Sequence, residues 1–225
     1  MNDSDDRHPS RPRPDPGDYS VVVGLQPHCL EDHEPHARII TRIDAEIICE
    51  ADPGSGVPSE SISAGYALAY RVDGEECADR GLSLWEVCDA FEQETTDYCE
   101  ALFGRKGGWI PEVETMCRDV WSTNLLILSA VHVEPAHRGK RLGLRVARVL
   151  IDLFPVPGGL VACQPRPMRK PERAKLGESS RDDEGTTVAI RALTRYWGRM
   201  GFKPLSDTGY CVLDPGMRAP SLNEL

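Results

Sequence analysis

Residues 131–146 read VHVEPAHRGKRLGLRV, directly after the apolar run TNLLILSA at 123–130. That run shows no alternation of apolar and polar residues, so it reads as a strand buried on both faces at the centre of a sheet. The strand passes through a turn containing Pro135 into Arg138-Gly139-Lys140-Arg141-Leu142-Gly143, where a helix starts. Leu142, Val146, Val149 and Leu153 recur along that helix at helical spacing, and Pro155 and Pro157 stop it. A glycine-bearing strand-to-helix turn lets backbone N–H groups approach phosphate oxygens, while the helix dipole and basic side chains favour negative charge there. The turn predicts a ligand that carries a pyrophosphate. It is neither a GxxxxGK[ST] phosphate loop nor a GxGxxG dinucleotide turn. A basic helix start with no ligand is the alternative that composition allows.

Upstream, ARIITRIDAEIICE (37–50) and ISAGYALAYRV (62–72) predict two antiparallel strands joined by a turn-rich loop. In residues 81–103, Leu84, Cys88, Phe91, Thr95, Tyr98 and Leu102 share one helical face. Ser83 with Glu86 makes a capping box and Leu82 can staple onto Val87, so one helix is expected here. Residues 104–122, with Trp109, Pro111 and Trp121, read as a linker that either carries a binding loop or covers the sheet edge. Downstream come a short strand at GLVAC (159–163), a long mobile loop over 164–185, a helix from Thr187 to Met200 with Gly201 as its left-handed cap, and a last strand at GYCVLD (209–214).

The chain has 225 residues, with 26 Lys plus Arg against 36 Asp plus Glu and a net charge of -10. Duplex-binding proteins need cationic side chains to neutralise phosphates, so the acidic balance argues against nucleic acid and suits a cationic, amine-bearing partner. Residues 1–20 hold five Asp, three Arg and prolines at 9, 12, 14 and 16, which predicts a disordered tail before one domain over 21–225. No apolar run approaches the roughly 20 residues that span a bilayer, and the first residues lack the pattern of a signal peptide, so a cytoplasmic protein away from membranes is expected. The eight cysteines contain no CxxC pair and read as reduced, mostly buried small hydrophobes. Cys29, His33 and His36 lie around Pro35 in HCLEDHEPH, which reads as a polar loop; no metal site is expected.

The turn resembles the acyl-CoA signature R/Q-x-x-G-x-G/A of the GCN5-related N-acetyltransferase family. Arg138 to Gly143 matches it except that Arg141 stands at the first glycine position. Tyr196-Trp197-Gly198-Arg199-Met200-Gly201-Phe202 resembles the aromatic pair and glycine-aromatic step of the family's last helix and strand. The order of elements follows the family over about 125–213 and extends back to about residue 37, whereas residues 21–36 leave little room for the family's first strand and paired helices. The resemblance implies an α+β, three-layer fold: a mixed, mostly antiparallel central sheet with helices on both faces.

It also implies acetyl-CoA as co-substrate, with no metal. The backbones of Val131 and Val133 would pair with the pantetheine arm, the amides of Arg138, Gly139, Lys140, Arg141, Leu142 and Gly143 would hold the pyrophosphate, and Trp197 would line the cofactor. In the family the central strand splays from the next, and one of its unpaired amides can polarise the thioester carbonyl. An amine attacks a thioester only as the free base, so a proton acceptor is needed. Glu46, Glu50, Glu134 and His132 are candidates, and alternation puts His132 and Glu134 on the face opposite Val131 and Val133. The family commonly protonates the leaving thiolate with a tyrosine four residues before the Gly-Phe step. Trp197 stands there and has no usable acid proton, so Tyr196 or water takes the role. Tyr196 is roughly 100° away around the helix, and reaches the thiol only if that helix is rotated relative to the family. The expected activity is acetyl transfer to the primary amine of a small molecule or protein. A non-catalytic CoA-binding or interaction module is the alternative. The basic run from Arg166 to Lys175 leaves a third, acylation of a protein or tRNA.

Overall fold

Leu125, Leu126, Ile127 and Leu128 are all almost wholly buried because the strand they open is the fourth of seven in one sheet. The computed structural model describes residues 19–26, 38–50, 61–104, 107–167, 184–216, 220–221 and 224. The strands are β1 (Tyr19–Gln26), β2 (Ile40–Glu50), β3 (Ser61–Val72), β4 (Leu125–Val133), β5 (Leu160–Cys163), β6 (Lys203–Pro204) and β7 (Cys211–Leu213), in the spatial order β1-β2-β3-β4-β5-β7-β6. Every neighbouring pair is antiparallel except β4 with β5. The sheet is therefore mixed and mostly antiparallel, as expected.

Alternation along the strands gives the sheet two apolar faces, each covered by helices. Leu126, Leu128, Val161 and Leu213 pack under α5 (Leu142–Leu153) and α6 (Glu184–Gly198). Leu125, Ile127, Leu160 and Val212 pack under α1 (Gly74–Asp79), α2 (Leu84–Phe91), α3 (Gln93–Leu102) and α4 (Pro111–Met116), which all lie between β3 and β4 in the chain. Among the described residues no helix is long and apolar enough to cross a membrane.

Several expectations change. Tyr19 and Ser20 belong to β1, so the sheet begins inside the stretch read as tail, and residues 21–36 do contain a strand. The helix expected over 81–103 is two. Ser83 caps α2, accepting from the Glu86 amide, but Glu92 is extended at φ -158 and ψ 143. There the Thr95 hydroxyl lies within bonding reach of the Cys88 and Glu92 carbonyls, and Thr96 donates to the latter, which ties the end of α2 to the start of α3 across the break. The linker carries α4, opened by Pro111 at its first position. Trp109 is buried and donates to the Ser122 carbonyl, whereas Trp121 is 74% exposed. In α5 Leu142 and Val146 are buried as expected, with Leu144, Ala147, Leu150 and Ile151 beside them, but Leu153 is exposed. The last helix begins at Glu184, and Gly201 has the expected positive φ, 98°. Residues 168–183, most of the expected loop, and the 28–36 histidine-cysteine segment lie outside the described residues.

Candidate functional site

Pairing of β4 with β5 ends at Leu128 and Cys163, yet β4 continues to Val133. Beyond Cys163 the chain reads Gln164-Pro165-Arg166-Pro167, and the prolines have no N–H to extend a ladder. The two strands therefore form a fork. The Glu134 amide donates to the Ala64 carbonyl on β3, and His132 is opposite Tyr66. In an antiparallel pair alternate residues turn their backbone groups to the same neighbour. Val131 and Val133 thus direct their amides and carbonyls to the fork, and His132 directs its own to β3.

A bulge at Ser129 sets the side chains. Leu68 pairs with Ala130 and Ala69 with Leu128, so Ser129 is extra. The extra residue reverses the alternation: Val131 and Val133 pack with Leu126 and Leu128 on the α5–α6 face. Ser129 faces the other way and donates to Glu94 Oε2 on α3 at 2.8 Å.

The strand leads through a 3-10 turn (Pro135–His137) into the basic turn. Gly139 has φ 87 and Arg141 φ 56, both left-handed. The first backbone hydrogen bonds of α5 run from Leu144 and Arg145 to the Arg141 carbonyl, so the amides of Leu142 and Gly143 lie ahead of the ladder. A Cβ on Gly143 would lie 2.9 Å from Tyr196 Oη and 3.4 Å from Val131 Cγ1, so only glycine lets the turn approach β4 and α6 this closely. Around the turn, the Tyr19 hydroxyl meets His137 Nδ1 at 3.0 Å and accepts from Lys140 Nζ at 3.2 Å, which ties β1 to the basic loop.

The chain itself occupies two groups at this end of the fork. Arg138 Nε donates to the Val133 carbonyl at 2.9 Å, and the Leu144 amide donates to Tyr196 Oη at 3.1 Å. Burial raises the Tyr196 phenol above its ordinary value, only partly opposed by the Leu144 amide and the nearby Arg199 and Arg141. Tyr196 is therefore a neutral phenol at neutral pH. Ala192, Arg195 and Arg199 line a cavity of about 290 Å³ with it.

Trp197 turns the other way. It is buried in the core in edge contact with Phe202, centroids 5.6 Å apart, in the apolar cluster against which Val131 and Val133 also pack. The wide apolar indole takes the inward position, which leaves Tyr196 to face the turn. His132 Nε2 lies 3.2 Å from Glu134 Oε1 and the His132 ring stacks on Tyr66, all on the face away from α5. Glu46 is opposite Tyr66 in the next strand and exposed, and Glu50 is at the exposed end of β2.

The spacing of residues gave no hint of α3's part. Glu94 and Tyr98, one helical turn apart, stand over the base of the fork. The Tyr98 hydroxyl lies beside the Gln164 backbone, is almost wholly buried, and makes no hydrogen bond of good geometry. Burial raises its phenol well above the ordinary value. In sequence both residues looked like parts of an amphipathic helix, and no signal linked Glu94 to Ser129, 35 residues away.

Among the described residues no group of His, Cys, Asp and Glu is arranged to hold a metal ion. Of the basic run from Arg166 to Lys175, only Arg166 and Pro167 are described, and both are exposed. No family model, curated protein or solved structure matches the chain.

Proposed function

We propose that the chain is an N-acyltransferase of the kind its sequence resembles, with acetyl-CoA as co-substrate and a primary amine as acceptor. The observation that carries this reading is the fork: β4 runs from Ser129 to Val133 without β5 beside it, then enters a turn with two left-handed residues and two amides ahead of the helix ladder. These residues fit the co-substrate. Val131 offers an amide and a carbonyl to a strand-like pantetheine arm, and the Leu142 and Gly143 amides, which precede the helix ladder, would donate to a pyrophosphate. When bound, acetyl-CoA supplies the acyl group as a thioester.

The chain's own groups then handle protons. Glu94 is the proton acceptor for the amine, because Ser129 holds its carboxylate at the base of the fork, whereas His132 and Glu134 lie toward the exposed end of β4. Tyr196 keeps a proton on Oη while accepting from Leu144 beside Gly143, at the pyrophosphate end of the fork, so water protonates the departing thiolate at the other end.

One observation favours the non-catalytic reading: Arg138 Nε already satisfies the Val133 carbonyl, a group the pantetheine arm would use. Free-thiol release from acetyl-CoA across a panel of amines separates the two. Transfer predicts release that falls by about 100-fold or more in Glu94→Gln, with a much smaller fall in Tyr196→Phe and little change in Glu134→Gln. No release with any amine, despite a CoA-dependent rise in melting temperature, would establish the binding module instead.

A further inference from the structure

We infer that Cys88 and Cys99 form a dithiol–disulfide site that locks α2 to α3 across the break at Glu92. Cys88 stands near the end of α2 and Cys99 in the second half of α3, and the two Sγ atoms are 2.7 Å apart in the core between the helices. A disulfide has its sulfurs about 2.05 Å apart, so forming the bond asks for less than about 1 Å of further approach. The break at Glu92 folds α3 back beside α2 and so brings the thiols together; in one straight helix, residues eleven apart would lie roughly 16 Å apart along the axis.

The oxidant is a low-molecular-weight disulfide. One thiolate attacks it and releases one thiol, leaving a mixed disulfide; the second cysteine attacks that sulfur and releases the other. Two protein thiols are oxidised, two small thiols are produced, and the cysteine protons pass to those products. Exchange needs a thiolate. Its hydrogen bond with Cys99 and its burial hold the Cys88 thiol far above its ordinary value, so reaction goes through a transient opening of the helix pair and is slow in both directions. The lock bears on the fork because α3 also carries Glu94, bonded to Ser129, and Tyr98 next to Cys99. It does not depend on what the fork binds.

A second buried pair supplies an internal control. Cys163 and Cys211 are directly opposite on β5 and β7 and both are buried. The folded full-length protein is incubated with oxidised glutathione, alkylated in denaturant, and cut after glutamate, which separates Cys88 from Cys99 at Glu92 and Glu94. A tryptic digest would leave both in one peptide, because no Lys or Arg lies between Arg80 and Arg105.

The expected result is a cross-linked pair of peptides joined through Cys88 and Cys99, two hydrogens lighter than the sum of the reduced ones. The oxidised protein should melt higher by about 5 °C, the usual effect of a well-placed disulfide in a domain of this size. Cys99→Ala should lose both effects; if it does not fold, the wild-type peptide map and melt decide alone. Alkylation of Cys88 and Cys99 as free thiols after long oxidation, cross-linking at Cys163 and Cys211 instead, or a Cys88–Cys99 cross-link with unchanged melting would each overturn the inference.

Discussion

Gly143 and Tyr196 form the tightest side-chain constraint at the turn. A methyl group at 143 would sit 2.9 Å from Tyr196 Oη, short of ordinary contact, and 3.4 Å from Val131 Cγ1. Gly143→Ala should therefore cost about 1–3 kcal/mol through overpacking, measured by urea unfolding. Tyr196→Phe alone should cost less than about 1.5 kcal/mol, because the Leu144 amide keeps its bond to the Arg141 carbonyl. With the hydroxyl gone, much of the alanine clash goes too. The double variant should then be more stable than the sum of the two single costs predicts. Strict additivity would mean that the two groups do not touch in solution.

At the scale of elements, α6 shows how one helix divides its work between neighbouring residues. Trp197 faces the sheet and Tyr196 faces the turn, so truncating them has different consequences. Trp197→Ala should destabilise by about 3–5 kcal/mol in denaturant titrations, as expected for a buried aromatic. Leu153→Ala on α5 should change stability by no more than about 0.5 kcal/mol, since Leu153 is exposed although its spacing placed it inside. β2 to β5, β7 and α5 were legible because apolar runs or helical spacing mark them and turn residues bound them, whereas β1 and the two-residue β6 were not. α1 and α4 were not: each has six residues, too few for periodicity to register, although Asp73 with Glu76 three on repeats the capping pattern of Ser83 with Glu86. The reversal of faces at Ser129 could not be read at all. A bulge depends on the register with β3, and strict alternation would have put Val131 with Leu125 and Ile127. The turn was legible residue by residue, but the contact of Glu94 with Ser129 depends on how α3 crosses the sheet, which no local pattern encodes.

For the whole molecule, buried phenols and thiols set the alkaline limit. Burial raises Tyr98, Tyr210 and Tyr196, and with the Glu92 hydrogen bond it raises Tyr70; Cys77 and Cys117 are raised by burial as well. In the folded protein these groups stay protonated at a pH where the unfolded chain already ionises. Stability should thus be complete below about pH 8 and fall as pH rises through the ordinary cysteine and tyrosine values of about 8.5 and 10. Tyr98→Phe removes an unpaired buried hydroxyl, so it should be neutral or stabilising at pH 7 and should flatten the alkaline fall. Thermal melts from pH 7 to 11 check both, and stability that rises above pH 9 would contradict the assignment. The central claim concerns the fork, and hydrogen exchange at residues 130–144 with and without acetyl-CoA tests it most directly. The account predicts that millimolar acetyl-CoA slows exchange at the amides of Val131, Leu142 and Gly143, which face the fork or precede the helix ladder, and leaves β1 and β2 unchanged. Exchange across 130–144 that is the same with and without acetyl-CoA would contradict it.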